Sequence, residues 1–163
     1  MHSALMTTIL ALGAPLVSAA TLPREVVEVE SRQTTTVPVS YATAYLDINL
    51  KIADFGCGTA PNSSIVKNYE YFVDVLEDYY SVIATPLAAT DKGACGSCVE
   101  VTYTNPAGEK RKVYGVTVDS TGGFYNFDQV GFAGLDGRGS FNAGTLQATA
   151  KTVGLEKCRR ARQ

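Results

Sequence analysis

The chain has 163 residues, 14 basic against 16 acidic side chains, a net charge of −2, one histidine and four cysteines. A charge this near balance supplies no basic field for nucleic acid or for an anionic membrane surface, so neither is expected as a partner. The one histidine is His2, inside a leading segment read below as removed on export. That excludes Ser-His-Asp, Cys-His and histidine-metal chemistry from the mature protein, and no cofactor or metal is expected.

Residues 1–20, MHSALMTTILALGAPLVSAA, hold no Asp, Glu, Lys or Arg, and the apolar run ends in Val17-Ser18-Ala19-Ala20. This is the pattern of a secretory signal peptide, placed at 1–19 with cleavage after Ala19 or Ala20. It is too short for a membrane anchor, and no later apolar run approaches about 18 residues. The mature protein is therefore expected to be secreted, extracellular or wall-associated. Residues 20–36 are charged and then Gln- and Thr-rich without an apolar period, which reads as a flexible leader or propeptide. One domain over 37–158 follows, and 159–163 form a basic tail expected to be frayed and solvated.

Within the domain, 37–46 is rich in β-branched and aromatic residues and reads as one strand or two. After Cys57 comes Asn62-Ser63-Ser64, an acceptor sequon for an N-linked glycan and so expected at the surface. Ile65, Tyr69, Phe72, Val73, Leu76 and Tyr80 recur at helical spacing behind Ser63 or Ser64 as N-cap, predicting one amphipathic helix over 65–80. Tyr71 and Tyr79 fall off that stripe. They are the aromatics that a partner protein could meet.

The second half changes period. Strands are predicted over 99–103 and 112–118, joined by the turn residues Asn105-Pro106-Ala107-Gly108. Gly122-Gly123 is a loop, 127–135 a short helical turn, and 145–153 a last strand leading to Cys158. Several short strands with one good helix point to a small β-barrel carrying helical segments.

The cysteines are Cys57, Cys95, Cys98 and Cys158. A redox C-x-x-C needs a helix N-terminus behind it to stabilise a thiolate, whereas Val99-Glu100-Val101-Thr102-Tyr103 alternates like a strand. Zinc is disfavoured by export and by the lack of a histidine. Structural disulfides are left. Linking Cys95 to Cys98 would constrain the unfolded chain little, so Cys57-Cys95 with Cys98-Cys158 is preferred, and the crossed pairing stays open.

Cys95-Gly96-Ser97-Cys98 opening a strand, Gly115-Val116-Thr117-Val118-Asp119-Ser120, Gly122-Gly123-Phe124-Tyr125-Asn126 and Ala148-Thr149-Ala150-Lys151-Thr152-Val153 before a last cysteine together resemble the cerato-platanin family. Val39-Ser40-Tyr41 and the cysteine spacing fit as well. The resemblance implies a six-stranded double-psi β-barrel with short helices, like that of expansins, and the pairing Cys57-Cys95, Cys98-Cys158. It also implies a secreted fungal protein that binds chitin oligomers or a related cell-wall glycan, with wall-loosening, virulence or elicitor roles toward a plant host. Two features depart from the family: a helical stretch where a Gly-rich segment usually follows the first cysteine, and Val99 where an aromatic is common.

The expected ligand contacts are Asp119, Ser120, Gly123, Tyr125, Asn126 and Tyr41, of which the resemblance matches Asp119 and Asn126 to groove positions. Asp119 ends a strand before a Gly loop, where a carboxylate accepts hydrogen bonds from sugar hydroxyls or closes its own turn. Tyr41, Tyr45, Phe124 and Tyr125 are the rings that could stack on a pyranose, with Tyr125 foremost. Hydrolysis needs a second carboxylate about 5 to 9.5 Å away. Asp128 and Asp136 are the candidates, but the resemblance places Asn126, which cannot trade a proton, at the second groove position. No catalytic residue is expected. The alternatives are a weak glycoside hydrolase using Asp119 with Asp128 or Asp136, and an effector engaging a host protein through 65–80.

Overall fold

A computed structural model describes residues 35–47, 49–60, 62–138 and 144–161. Residues 1–34, the stretch read as signal peptide and most of that read as leader, lie outside these residues. In chain order the strands are β1 Thr35–Tyr41, β2 Val82–Thr85, β3 Cys98–Thr104, β4 Lys110–Ser120, β5 Tyr125–Phe127 and β6 Leu146–Val153. The helices are α1 Ser64–Asn68, α2 Phe72–Asp78, α3 Leu87–Thr90 and α4 Gln129–Asp136. The first strand begins inside the stretch read as leader, with Thr35 and Thr36 paired to Ala150 and Thr149 of β6.

The strands close into a barrel in the order β1-β5-β2-β4-β3-β6. β1 runs parallel to β5 and β2 parallel to β4, while the other contacts are antiparallel. This is the six-stranded double-psi barrel that the resemblance implies. β3 and β4 form a hairpin whose turn is closed by Asn105: its carbonyl accepts from Gly108 N at 2.9 Å and its side chain from Glu109 N at 2.9 Å. Gly108 sits at φ +85°, where a side chain would be strained.

Sequence alone predicts neither β2 nor β5, and β2 shows why. Its four residues are all buried, with Val82 and Ala84 in one core cluster and Ile83 in another. Packed on both faces, it shows no apolar–polar alternation. β5 is shorter still, with three residues, and the helical turn predicted from 127 begins only at Gln129, because Asp128 is its N-cap.

The predicted single helix over 65–80 is two. Tyr69 and Tyr71 take extended backbone between α1 and α2, where Ile52 N donates to Glu70 O and Phe72 N to Leu50 O, each at 2.9 Å. Those two backbone bonds compete with helical ones, and Asp74 restarts the helix by accepting from Tyr71 N at 3.1 Å. The break resets the phase of the apolar stripe. Ile65, Phe72, Val75 and Tyr79 are buried, whereas Tyr80 is 51% exposed, so the expected inward Tyr80 and outward Tyr79 exchange places.

Disulfides join Cys57 to Cys95 and Cys98 to Cys158, with no free cysteine. Spanning 38 and 60 positions, each restrains the unfolded chain by about 3 to 4 kcal/mol. The second fixes the chain end, and the tail does not fray at its start. Arg160 N donates to Asp78 O and Arg160 Nε to Tyr79 O, both at 2.9 Å, while Arg159 lies over the Tyr79 ring.

Candidate functional site

Strand register assembles the site. Asp119 of β4 and Asn126 of β5 both pair with Ala84 of β2, and Asn126 pairs in turn with Ser40 of β1. The result is one row, Asp119, Ala84, Asn126 and Ser40, across four neighbouring strands. Interstrand spacing is about 4.8 Å, so the two polar residues flank the small Ala84 at roughly 10 Å. Ser40 Oγ donates to Asn126 Oδ1, which leaves the Asn126 amide hydrogens pointing outward from that bond.

Asp119 is half-buried and tightly held. Its Oδ1 accepts from Gly56 N at 2.5 Å and from Ser120 N at 2.7 Å, and its Oδ2 accepts from Tyr45 Oη at 3.1 Å. Burial, then the adjacent Asp119 charge, pushes the Tyr45 phenol far above its ordinary range, so it remains a donor. Gly56 must be glycine. A Cβ there would stand 2.2 Å from Ser120 Oγ and 2.7 Å from Asp119 Oδ1. The Gly56 carbonyl accepts from the exposed Lys92 Nζ at 2.7 Å, so one residue carries an anion on its N–H and a cation on its C=O.

The other expected contacts are distributed unevenly. Ser120 is half-buried beside Asp119. Gly123 is exposed, with open space about its Cβ position, in a loop tied by Thr121 N to Thr85 O at 3.2 Å and by Thr121 Oγ to Phe124 O. Tyr41 is partly buried, its ring 5.4 Å from Phe132. Tyr125 is only 7% exposed, packed in the core with Phe127 and Phe132. A pyranose needs an open ring face, so Tyr125 does not offer the stacking surface expected of it: alternation turns it away from Asn126. Tyr45 is likewise core, stacked on Phe72 at 5.4 Å. Phe124, 49% exposed in the same loop, is the available ring.

Sequence reasoning misses Ser40 and Gly56 as holders of the site and offers Tyr45 only as one of four candidate rings. Their bonds span 86, 63 and 74 positions, a separation that no local pattern reports.

The two carboxylates offered as hydrolytic partners are otherwise engaged. Asp128 is buried and accepts from Ser81 Oγ, Val82 N and Gly131 N, each at 2.7 Å. Asp136 is buried beneath Arg138, whose Nη2 lies at 2.8 Å. A cleft of about 500 Å³ lies apart from this row, lined by Lys51, Ile52, Val66, Lys67, Tyr69 and Glu70 among others. Its charges are partly spent internally, Lys51 on Glu70 at 3.4 Å. Among the described residues no helix is long and apolar enough to cross a membrane.

The cerato-platanin family model matches residues 37–160. The chain belongs to the cerato-platanin family. Cerato-platanin 1 from M. perniciosa is similar in structure, with a TM-score of 0.66 at 20% identity over 75% of this chain and 98% of that one. Cerato-platanin 3 from the same organism gives 0.63 at 23% identity over 76% and 98%. The solution structure of the fungal elicitor cerato-platanin gives 0.60 at 27% identity over 75% and 96%. No curated protein matches the sequence.

Proposed function

We propose that this cerato-platanin-family chain is a secreted, non-catalytic carbohydrate-binding protein that holds a chitin oligomer or related cell-wall glycan in a shallow groove. The observation that carries the reading is the row Asp119, Ala84, Asn126 and Ser40. It sets an anchored acceptor and an amide donor on either side of the buried Ala84. Asp119 Oδ2 has one protein donor and a further lone pair to take a sugar hydroxyl, Asn126 would supply N–H groups, and Phe124 would present a ring to a CH face.

Family membership supports a wall-associated, non-catalytic role at the coarse level. The engagement of Asp128 and Asp136 argues in the same direction, because neither has the freedom to serve as acid or base opposite Asp119. The disulfides suit an oxidising, extracellular setting. A plant host would meet such a protein at its wall, and one structural relative is described as a fungal elicitor.

Amide chemical-shift mapping with chitin and β-glucan oligomers tests the assignment. Shifts should gather at Gly56, Ala84, Ser120, Phe124 and Asn126. Shifts confined to the cleft around Lys51 and Lys67 would move the ligand there and overturn the groove.

A further inference from the structure

The sequon Asn62-Ser63-Ser64 plays no part in the groove, and its surroundings say what it does. Asn62 and Ser64 are exposed, with Asn62 in the turn that precedes α1. The exposed Asn62 side chain is open to an attaching enzyme. Beside it lies a small cavity of about 160 Å³ lined by Ala60, Asn62, Ser63, Lys92, Gly93 and Cys95. Ser63 is 4% exposed, and its Oγ is buried with no hydrogen-bond partner. Buried hydroxyls are almost always paired, and this unpaired one belongs to a residue that lines the cavity.

We propose that Asn62 carries an N-linked glycan whose first sugar packs over this cavity, with Ser63 Oγ and Lys92 Nζ as its polar contacts and Ala60 as its apolar one. In the attaching step the Asn62 side-chain nitrogen attacks C1 of the reducing-end sugar of a lipid-diphosphate oligosaccharide, the donor class of the secretory pathway. A C–N bond forms and the C1–O bond to the diphosphate breaks. The lipid diphosphate leaves with that electron pair, the amide loses one proton, and no redox change occurs. An N-acetylated sugar brings hydroxyl and acetamide groups that give and take hydrogen bonds, which is what an unpartnered hydroxyl beside an ammonium needs. Lys92 also binds the Gly56 carbonyl, so the glycan would flank the groove without entering the Asp119 row.

The proposal rests on export and is independent of what the groove binds. The full chain is produced in a secreting yeast twice, once with its own N-terminus and once behind a host secretion leader, and each product is treated with peptide-N-glycosidase. A mass drop in both, abolished by Asn62→Gln and by Ser64→Ala and kept in Ser63→Ala, is the expected result, since the middle sequon position tolerates any residue but proline. A drop only behind the host leader supports the glycan and refutes the native signal. An unchanged mass in both overturns the glycan. For the packing, Ser63→Ala should lower the melting temperature more in the glycosylated protein than in an Asn62→Gln background. Equal drops in the two backgrounds would overturn the seating of the sugar.

Discussion

Asp119 and Asp128 invite comparison because each accepts three hydrogen bonds at the end of a strand, two of them from backbone N–H groups. Asp128 is sealed: its oxygens cap α4, join Val82 of β2 and take the Ser81 hydroxyl, and the residue is 4% exposed. Asp119 has the same number of partners yet stays half-buried at the mouth of a row of polar residues. The number of bonds therefore does not separate a sealed carboxylate from one left partly open. What separates them is whether an oxygen still faces solvent and what stands across from it.

The largest expected effect breaks the structural member. Asp128→Ala removes an N-cap and strands two buried N–H groups, and should cost about 3 kcal/mol in chemical unfolding while leaving glycan affinity per folded molecule unchanged. Gly56→Ala strikes both qualities at once. Its Cβ would meet Ser120 Oγ at 2.2 Å and Asp119 Oδ1 at 2.7 Å. It should lower stability by about 2 kcal/mol and abolish binding in calorimetric titration, as forced overpacking shifts backbone.

Asp119→Asn should weaken glycan binding about tenfold, or about 1.4 kcal/mol, with a smaller loss of stability. Here the shape survives and the anionic acceptor does not.

Glu100 sharpens the contrast, because it is a buried carboxylate held by side-chain charge instead of by backbone. Burial alone would raise its pKa, but hydrogen bonds from Lys151, Lys112 and Tyr114 together outweigh it and hold the group below the usual carboxylate range. Lys151 and Lys112 lie at 3.0 and 3.2 Å. A depressed folded pKa gives stability that is present above the unfolded value and lost as pH falls through the folded one. Glu100→Gln should therefore destabilise at neutral pH and flatten the acid limb of the stability profile. A parallel, unflattened profile would show that the lysines do not set its ionisation. Smallest is Phe124→Ala, expected to leave stability within about 0.5 kcal/mol and to weaken glycan binding about threefold.

Much of this was legible in the sequence, and the gaps have physical causes. β3, β4 and β6 show alternation and bounding turns, and the disulfide pairing follows from loop entropy joined to the family resemblance. β2 was hidden by burial on both faces, and the single helix became two because Leu50 and Ile52 bond to the segment 70–72. At the site, Asp119 and Asn126 were readable from local motifs. Gly56, Ser40 and the true role of Tyr45 were not, since their partners come from distant parts of the chain. Tyr125 was misjudged for a local reason: next to a groove residue in a strand, it faces the opposite side.

The most direct test of the central claim is titration of the purified protein and its Asp119→Asn variant with chitin and β-glucan oligomers, counting reducing ends in the same samples. Saturable binding without new reducing ends, weakened by the substitution, is the predicted result. Reducing ends that appear with the native protein and vanish with Asp119→Asn would make Asp119 a hydrolytic carboxylate and contradict the account.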